Sequence, residues 1–126
     1  MMVLEFRGYY PSEVGIRKFL TTQQSEVLGC LWALGEKGGE AGEVRNRLAS
    51  EGCAHSLPTV KKVLDQLKDM AVVGCRVASS SAPRLCYFPT VGREDATGHL
   101  VARFIASLNE AMPDAMSKAV NDLRLR

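Results

Sequence analysis

The sequence has no apolar run approaching the roughly 18 residues of a membrane-spanning helix. Its opening stretch, Met1 to Tyr10, lacks a basic segment followed by an apolar core. The expectation is therefore a chain with neither a transmembrane segment nor a signal peptide, residing in the cytoplasm. Charge of one sign is also scarce. Lys and Arg total 16 against 14 Asp and Glu, a net charge of +2, far from the strongly basic footprint that marks a nucleic-acid binder unaided. Cysteines number four, at positions 30, 53, 75 and 86, with no CxxC pair and no histidine at zinc-ligand spacing. A structural zinc site is not expected, nor is a disulfide in a reducing compartment. The sequence also lacks a glycine-rich phosphate loop, an HExxH motif and a nucleophile motif, and its carboxylates are scattered over helix surfaces. No catalytic residue and no cofactor is assigned, and the chain is read as a non-enzyme.

What is present is a succession of amphipathic helices. At 126 residues, 46% hydrophobic and 24% charged, the chain is long enough for one globular domain with an appended arm. Residues 1–20 mix aromatics (Phe6, Tyr9, Tyr10) with a Pro11-Ser12 turn signal and a short helix candidate, Glu13 to Leu20; they are read as an arm that packs on the domain. A first helix over 21–35 starts at Thr21, with Gln24 at capping-box spacing, and repeats Val27, Leu28, Leu31 and Trp32 at helical intervals. Gly35 ends it, and Gly38-Gly39 make a loop. A second helix over 41–51 places Ala41, Val44 and Leu48 on one side.

The third helix, over 57–70, is the most informative element. Ser56 is its N-cap, and Pro58 falls in the first turn, where a missing N–H costs nothing. Val60, Val63, Leu64, Leu67 and Met70 form a buried stripe. Thr59, Lys62 and Gln66 share the opposite face, with Lys61 and Asp65 beside it. Two apolar segments follow, 72–78 and 84–89, read as a hairpin with its tip at Ser79-Ser80-Ser81-Ala82 and with Arg76 and Arg84 flanking the tip. The expected register opposes Val73 to Phe88, Cys75 to Cys86 and Val77 to Arg84, because that pairing makes one face nearly all apolar. It makes Cys75 and Cys86 a candidate redox pair, set against the plainer reading of two small hydrophobes on the inner face. Cys30 is read as core and Cys53 as a loop thiol.

A helix followed by a β-wing is the arrangement that presents an α-helix to the DNA major groove. The candidate DNA contacts are Ser56, Thr59, Lys61, Lys62 and Gln66 on the helix and Arg76 and Arg84 on the wing. The plainer alternative is a solvated helix face, with Asp65 and Asp69 offsetting the lysines. Two more helices follow. The first, over 94–108, carries Leu100, Val101, Phe104, Ile105 and Leu108 on one stripe; the second begins at Pro113 and lines up Met116, Ala119, Val120 and Leu123. Their apolar faces need a partner, and a second copy of the chain is the economical one. His55, before the Ser56 cap, and His99, in the arm, are read as ordinary solvated or interface residues, and Trp32 as the core anchor of its helix.

The order of helix, helix, helix, wing and two further helices resembles the BlaI/MecI/CopY family of penicillinase-repressor-like transcriptional regulators. The matching residues are Leu20-Thr21, Glu26-Val27-Leu28 and Leu31-Trp32 in the first helix, then Glu43-Val44 and Leu48 in the second. Thr59-Val60, Leu64 and Leu67 follow in the third, and Arg84, Tyr87 and Pro89 in the wing. The likeness runs over roughly residues 5–123. It implies a homodimer that binds a palindromic double-stranded operator and represses transcription. The chain departs from the family in three places. Met70-Ala71 stand where Lys-Gly is usual after the reading helix. Asn109 precedes Glu110 rather than the Phe of a cleavable Asn-Phe bond. No cysteine follows Cys86, so the copper-binding cluster of one branch is absent.

The expectation is thus a mainly α fold with a small β-wing: an arm (1–20), a winged helix-turn-helix domain (21–90) and a C-terminal dimerisation arm (91–126). The expected interface comprises Leu100, Val101, Phe104, Ile105, Leu108, Met116 and Val120. Two rival functions stand beside the repressor: a winged-helix interaction module that has lost DNA binding, favoured by the nearly neutral charge of 21–90, and an effector- or redox-responsive regulator. No membrane partner is expected.

Overall fold

The computed structural model describes residues 15–78 and 84–124. The expected wing tip, Ser79 to Ala82, and most of the expected N-terminal arm lie outside the described residues. Where the arm enters them, the short helix expected over Glu13 to Leu20 is a four-residue 3-10 helix, Gly15–Lys18. It delivers Phe19 and Leu20 to the core.

Helix α1 spans Thr22–Leu34. The Thr21 hydroxyl accepts the Gln24 amide at 3.1 Å, and the Gln24 side chain accepts the Thr21 amide at 2.9 Å. Two otherwise unpartnered donors at the helix start are thereby satisfied. Helix α2 covers Ala41–Ser50 and α3 covers Leu57–Asp69. The Ser56 hydroxyl accepts the Thr59 amide at 3.3 Å, so the expected cap is in place. Val27, Leu28 and Leu31 of α1, Val44 and Leu48 of α2, and Val60, Val63, Leu64 and Leu67 of α3 meet in one core.

Helix α3 ends in a Schellman motif: the Ala71 amide reaches the Lys68 carbonyl at 2.9 Å and the Val72 amide reaches the Leu67 carbonyl at 3.2 Å. That closure needs a left-handed residue, and Ala71 adopts φ +62° to supply it. An alanine therefore holds the position for which glycine is suited.

The wing strands are β2 (Val73–Val77) and β3 (Leu85–Pro89). A third strand, β1 (Gly39–Glu40), lies where a loop was expected, and the sheet order is β1-β3-β2. Gly39 pairs with Tyr87 and Glu40 with Cys86. The backbone before β1 approaches closely enough that a Cβ on Gly38 would run into the Tyr87 carbonyl. A Gly38-Gly39 pair permits that approach.

The hairpin register differs by one residue from the expected one. Val73 opposes Pro89, Gly74 opposes Phe88, Cys75 opposes Tyr87, Arg76 opposes Cys86 and Val77 opposes Leu85. Because side chains alternate across a strand, Cys75 and Cys86 lie on opposite faces, and the expected cross-strand cysteine pair is corrected. The physical reason is that both faces are covered. Val73 and Tyr87 enter the core, while Cys86 on the other face donates to the Lys37 carbonyl at 3.2 Å. The observed face, Val73, Cys75 and Val77 with Leu85, Tyr87 and Pro89, is itself fully apolar, so the presence of one apolar face does not by itself choose between the two alignments. Gly74 contributes to the second face as well: a Cβ there would stand 2.6 Å from the Phe88 ring.

Helix α4 runs Arg93–Ala111 and α5 Pro113–Arg124. The stripe expected on α4 divides. Ala96 and Leu100 are buried, and Phe104 packs on Phe19 with ring centroids 5.7 Å apart. Val101 and Ile105 remain 36% and 45% exposed. Leu100, expected at a dimer interface, lies instead in its own domain's core, because the first turns of α4 pack back on the domain. No residue of α5 is buried.

Candidate nucleic-acid interface

Helix α3 presents an exposed ridge of Pro58, Lys61, Lys62, Asp65, Lys68 and Asp69. The ridge separates two grooves. On one side Thr59, Lys62 and Gln66 face Thr21, Gln23 and Gln24 at the start of α1, across a groove of about 440 Å³. On the other side Lys61 and Asp65 face Glu40, Arg84, Leu85 and Tyr87, across a groove of about 540 Å³. The two lysines expected to reach DNA thus lie on neighbouring slopes of one ridge, Lys62 towards α1 and Lys61 towards the wing.

The remaining expected contacts are placed less freely. The Ser56 hydroxyl, besides accepting the Thr59 amide, donates to the Thr59 hydroxyl at 2.9 Å, so both side chains serve the helix start. Pro58 has no N–H and the Thr59 and Val60 amides are engaged, which leaves the Leu57 amide and the helix dipole to meet an anion there. The Gln66 side-chain oxygen accepts from the Gln24 amide at 3.1 Å, which orients its own amide group. The Arg76 guanidinium stacks 4.9 Å from the Phe88 ring centroid and donates to the Lys37 carbonyl at 2.6 Å, flattening it against the wing. The Arg84 guanidinium pairs with Glu40 at 3.3 Å while its side chain stays 66% exposed. An exposed pair of this kind contributes little to stability, so Arg84 can exchange Glu40 for a phosphate at small cost.

Three features of this surface escaped the sequence reading: the Glu40 partner of Arg84, the Gln24 partner of Gln66, and a tie between α3 and the wing. In the last, Asp65 of α3 and Tyr87 of β3 line the same groove. Burial, and then Asp65, push the Tyr87 phenol above its ordinary pKa of 10.0, so it stays a neutral donor. Each is a contact between distant segments, for which local spacing carries no signal. Gln24 was legible only as a capping residue. Near the helix start, His55 contacts Glu26 of α1 at 3.1 Å instead of standing free in its loop.

A model of the penicillinase repressor family matches residues 20–125. The chain belongs to the penicillinase repressor family. The match begins at the Leu20-Thr21 that opens α1 and extends to the end of α5. Among solved structures, a PadR-like transcription factor from Bacteroides fragilis is similar at 22% identity, with a TM-score of 0.48 over 72% of this chain and 90% of that one. No curated protein matches. This penicillinase repressor family member is a winged-helix transcriptional regulator and not an enzyme. No helix among its described residues is long and apolar enough to cross a membrane.

Proposed function

We propose that the chain is a homodimeric repressor that occupies a palindromic operator. Helix α3 enters the major groove with Lys61 and Lys62 on its leading ridge, within reach of base edges and phosphates. The start of α3 and Arg84 of the wing hold the backbone on either side. Thr59 and Gln66 border the groove beside Lys62. The far half of α4 and all of α5 supply the dimer contact through Val101, Ile105, Leu108, Met116 and Val120. Occupying the operator then blocks transcription.

The observation that carries this reading is a joint one. The exposed lysine ridge stands between two grooves, and the same chain exposes Val101, Ile105, Val120 and Leu123 on its last two helices. The test is a gel shift on the DNA upstream of the chain's own gene, with a shuffled fragment as control and salt stepped upward. Retardation of the native fragment alone is the expected result. The double variant Lys61→Ala/Lys62→Ala is expected to bind more weakly, with the salt slope reduced by about 0.9 for each phosphate no longer neutralised. Unchanged affinity and specificity in that variant would remove α3 from the groove.

A further inference from the structure

The lone tryptophan has a second role beyond filling the core. Trp32 lies near the end of α1, half-buried against the domain core. Its Nε1–H donates to the Val91 carbonyl at 2.9 Å, and its ring carries the Arg93 guanidinium 4.7 Å from the centroid. Val91 and Arg93 flank Gly92, the N-cap of α4, in the short linker that follows the end of β3 at Pro89. On the other side of the same short linker, the Thr90 amide reaches the Val72 carbonyl at 3.0 Å and the Thr90 hydroxyl reaches the Ala71 carbonyl at 2.7 Å. The linker is thus fastened to α1 on one flank and to the turn that closes the reading helix on the other.

Further along α4 is a second point of attachment. Phe104 packs on Phe19, and Arg103 donates to the Asp69 carbonyl, at the last residue of α3, at 3.4 Å. Two attachments separated by three turns define an axis. With both in place, α4 leaves the reading domain in one direction only.

We infer that Trp32, through Val91 and Arg93, is a positioning residue that sets the direction of α4 and thereby the half-site spacing the dimer accepts. This rests on the dimeric-operator reading above. In a twofold dimer the separation of the two reading helices follows from the angle between each reading domain and its α4. A 19-residue helix is about 28 Å long at about 1.5 Å per residue. A swing of about 10° then displaces its far end by about 5 Å, more than the roughly 3.4 Å rise of one base pair. Small changes at the hinge therefore register as whole base pairs of spacing.

The test is selection from a random double-stranded DNA library by the full chain and by two variants, Arg93→Ala and Trp32→Phe. The first removes the stacked cation at an exposed position; the second keeps a ring but loses the Nε1 donor. Half-site motif and half-site spacing are read from the same selected pool, and sedimentation reports the dimer. Both variants are expected to stay dimeric, to select the wild-type half-site, and to accept spacings at least one base pair wider than wild type. Affinity for the wild-type spacing should fall about threefold in Arg93→Ala. Fluorescence of Trp32, the single tryptophan, should change in Arg93→Ala and so report that the stack is broken. A wild-type spacing distribution in both variants would overturn the inference, as would an equal loss of affinity at every spacing with a lowered melting temperature, which is the signature of a purely structural tryptophan. A wild-type chain that is monomeric, or that enriches no paired half-sites, would overturn the operator reading and the inference with it.

Discussion

Helices α3 and α5 are of nearly equal length, 13 and 12 residues, and each gathers its apolar residues on one stripe. Yet α3 buries Val60, Val63, Leu64 and Leu67, whereas α5 buries nothing. The difference lies in what the rest of the chain provides. Helix α3 is enclosed by α1, α2 and the wing, while among the described residues α5 packs chiefly on α4. An amphipathic stripe shows that a helix has a partner; it does not show whether the partner lies in the same chain. Helix α4 contains both cases, since Leu100 faces the domain's own core and Ile105, little more than a turn later, faces outward.

The largest expected effect sharpens that contrast. Leu64→Ala removes a fully buried side chain from the centre of the core. It should cost about 2–5 kcal/mol in urea unfolding, independent of protein concentration. Leu123→Ala, at a site 70% exposed, should leave the unfolding of the monomer unchanged. If Leu123→Ala lowered stability at every protein concentration, α5 would have a partner within its own chain and the contrast would fail.

The next effect concerns the outward half of α4. Ile105→Asp places a charge at the centre of the exposed stripe. The fold should survive, but the dimer dissociation constant should rise at least about tenfold, equivalent to about 1.4 kcal/mol. Sedimentation over a concentration series reads this directly, and an unchanged association would relocate the interface.

The same contrast explains what was legible beforehand. Helices α1 to α3 could be read because their signals are local: Thr21 with Gln24, Ser56 with Pro58, and stripes of period near 3.6. The split of α4 could not be read, because Leu100 and Ile105 look alike in sequence and only the position of Phe19 and its neighbours separates them. The wing register failed for a related reason. A two-residue period fits either alignment of Cys75 equally well, and the deciding contacts come from Lys37 and from β1, a strand of two residues with no pattern of its own. On the interface, residue types were readable but commitments were not: nothing near Gln66, Arg76 or Arg84 announces Gln24, Phe88 or Glu40.

A smaller effect tests a departure noticed in the sequence. Ala71 holds a left-handed conformation, φ +62°, for which a residue with a Cβ is penalised by about 1–2 kcal/mol. Glycine would relieve that strain but leave the unfolded chain more freedom, an offset of about 0.4–1 kcal/mol. Ala71→Gly should therefore stabilise the domain by roughly 0.5–1 kcal/mol, seen as a raised urea midpoint with an unchanged slope. A loss of stability would mean that the Ala71 methyl group has a packing role outweighing its backbone strain.

The smallest effect asks whether the body formed by α1, α2, α3 and the wing is also self-sufficient in its polar contacts. The loop before α3 is tied to α1 through Glu26, which contacts His55 at 3.1 Å and neighbours the Cys53 thiol. The Cys53 thiol first, and His55 second, hold the Glu26 carboxyl below its ordinary value of 4.5. The Glu26 carboxylate, aided by burial, holds the Cys53 thiol above its ordinary 9.0. The two shifts act at opposite ends of the pH scale. A depressed carboxyl stabilises the fold above pH 4.5, and the contribution is lost as pH falls through the folded value. A raised thiol stabilises it below pH 9.0, and the contribution is lost as pH rises through the folded value. Melting temperature against pH should therefore show a plateau between these limits with a shoulder at each end. Glu26→Gln should flatten both shoulders, since it removes the shared acceptor charge. Cys53→Ala should remove the alkaline shoulder and leave part of the acid one, because His55 still faces Glu26. A Glu26→Gln profile as steep as wild type at both ends would mean that the tie contributes nothing, and that the approach to α3 is held by its apolar core alone.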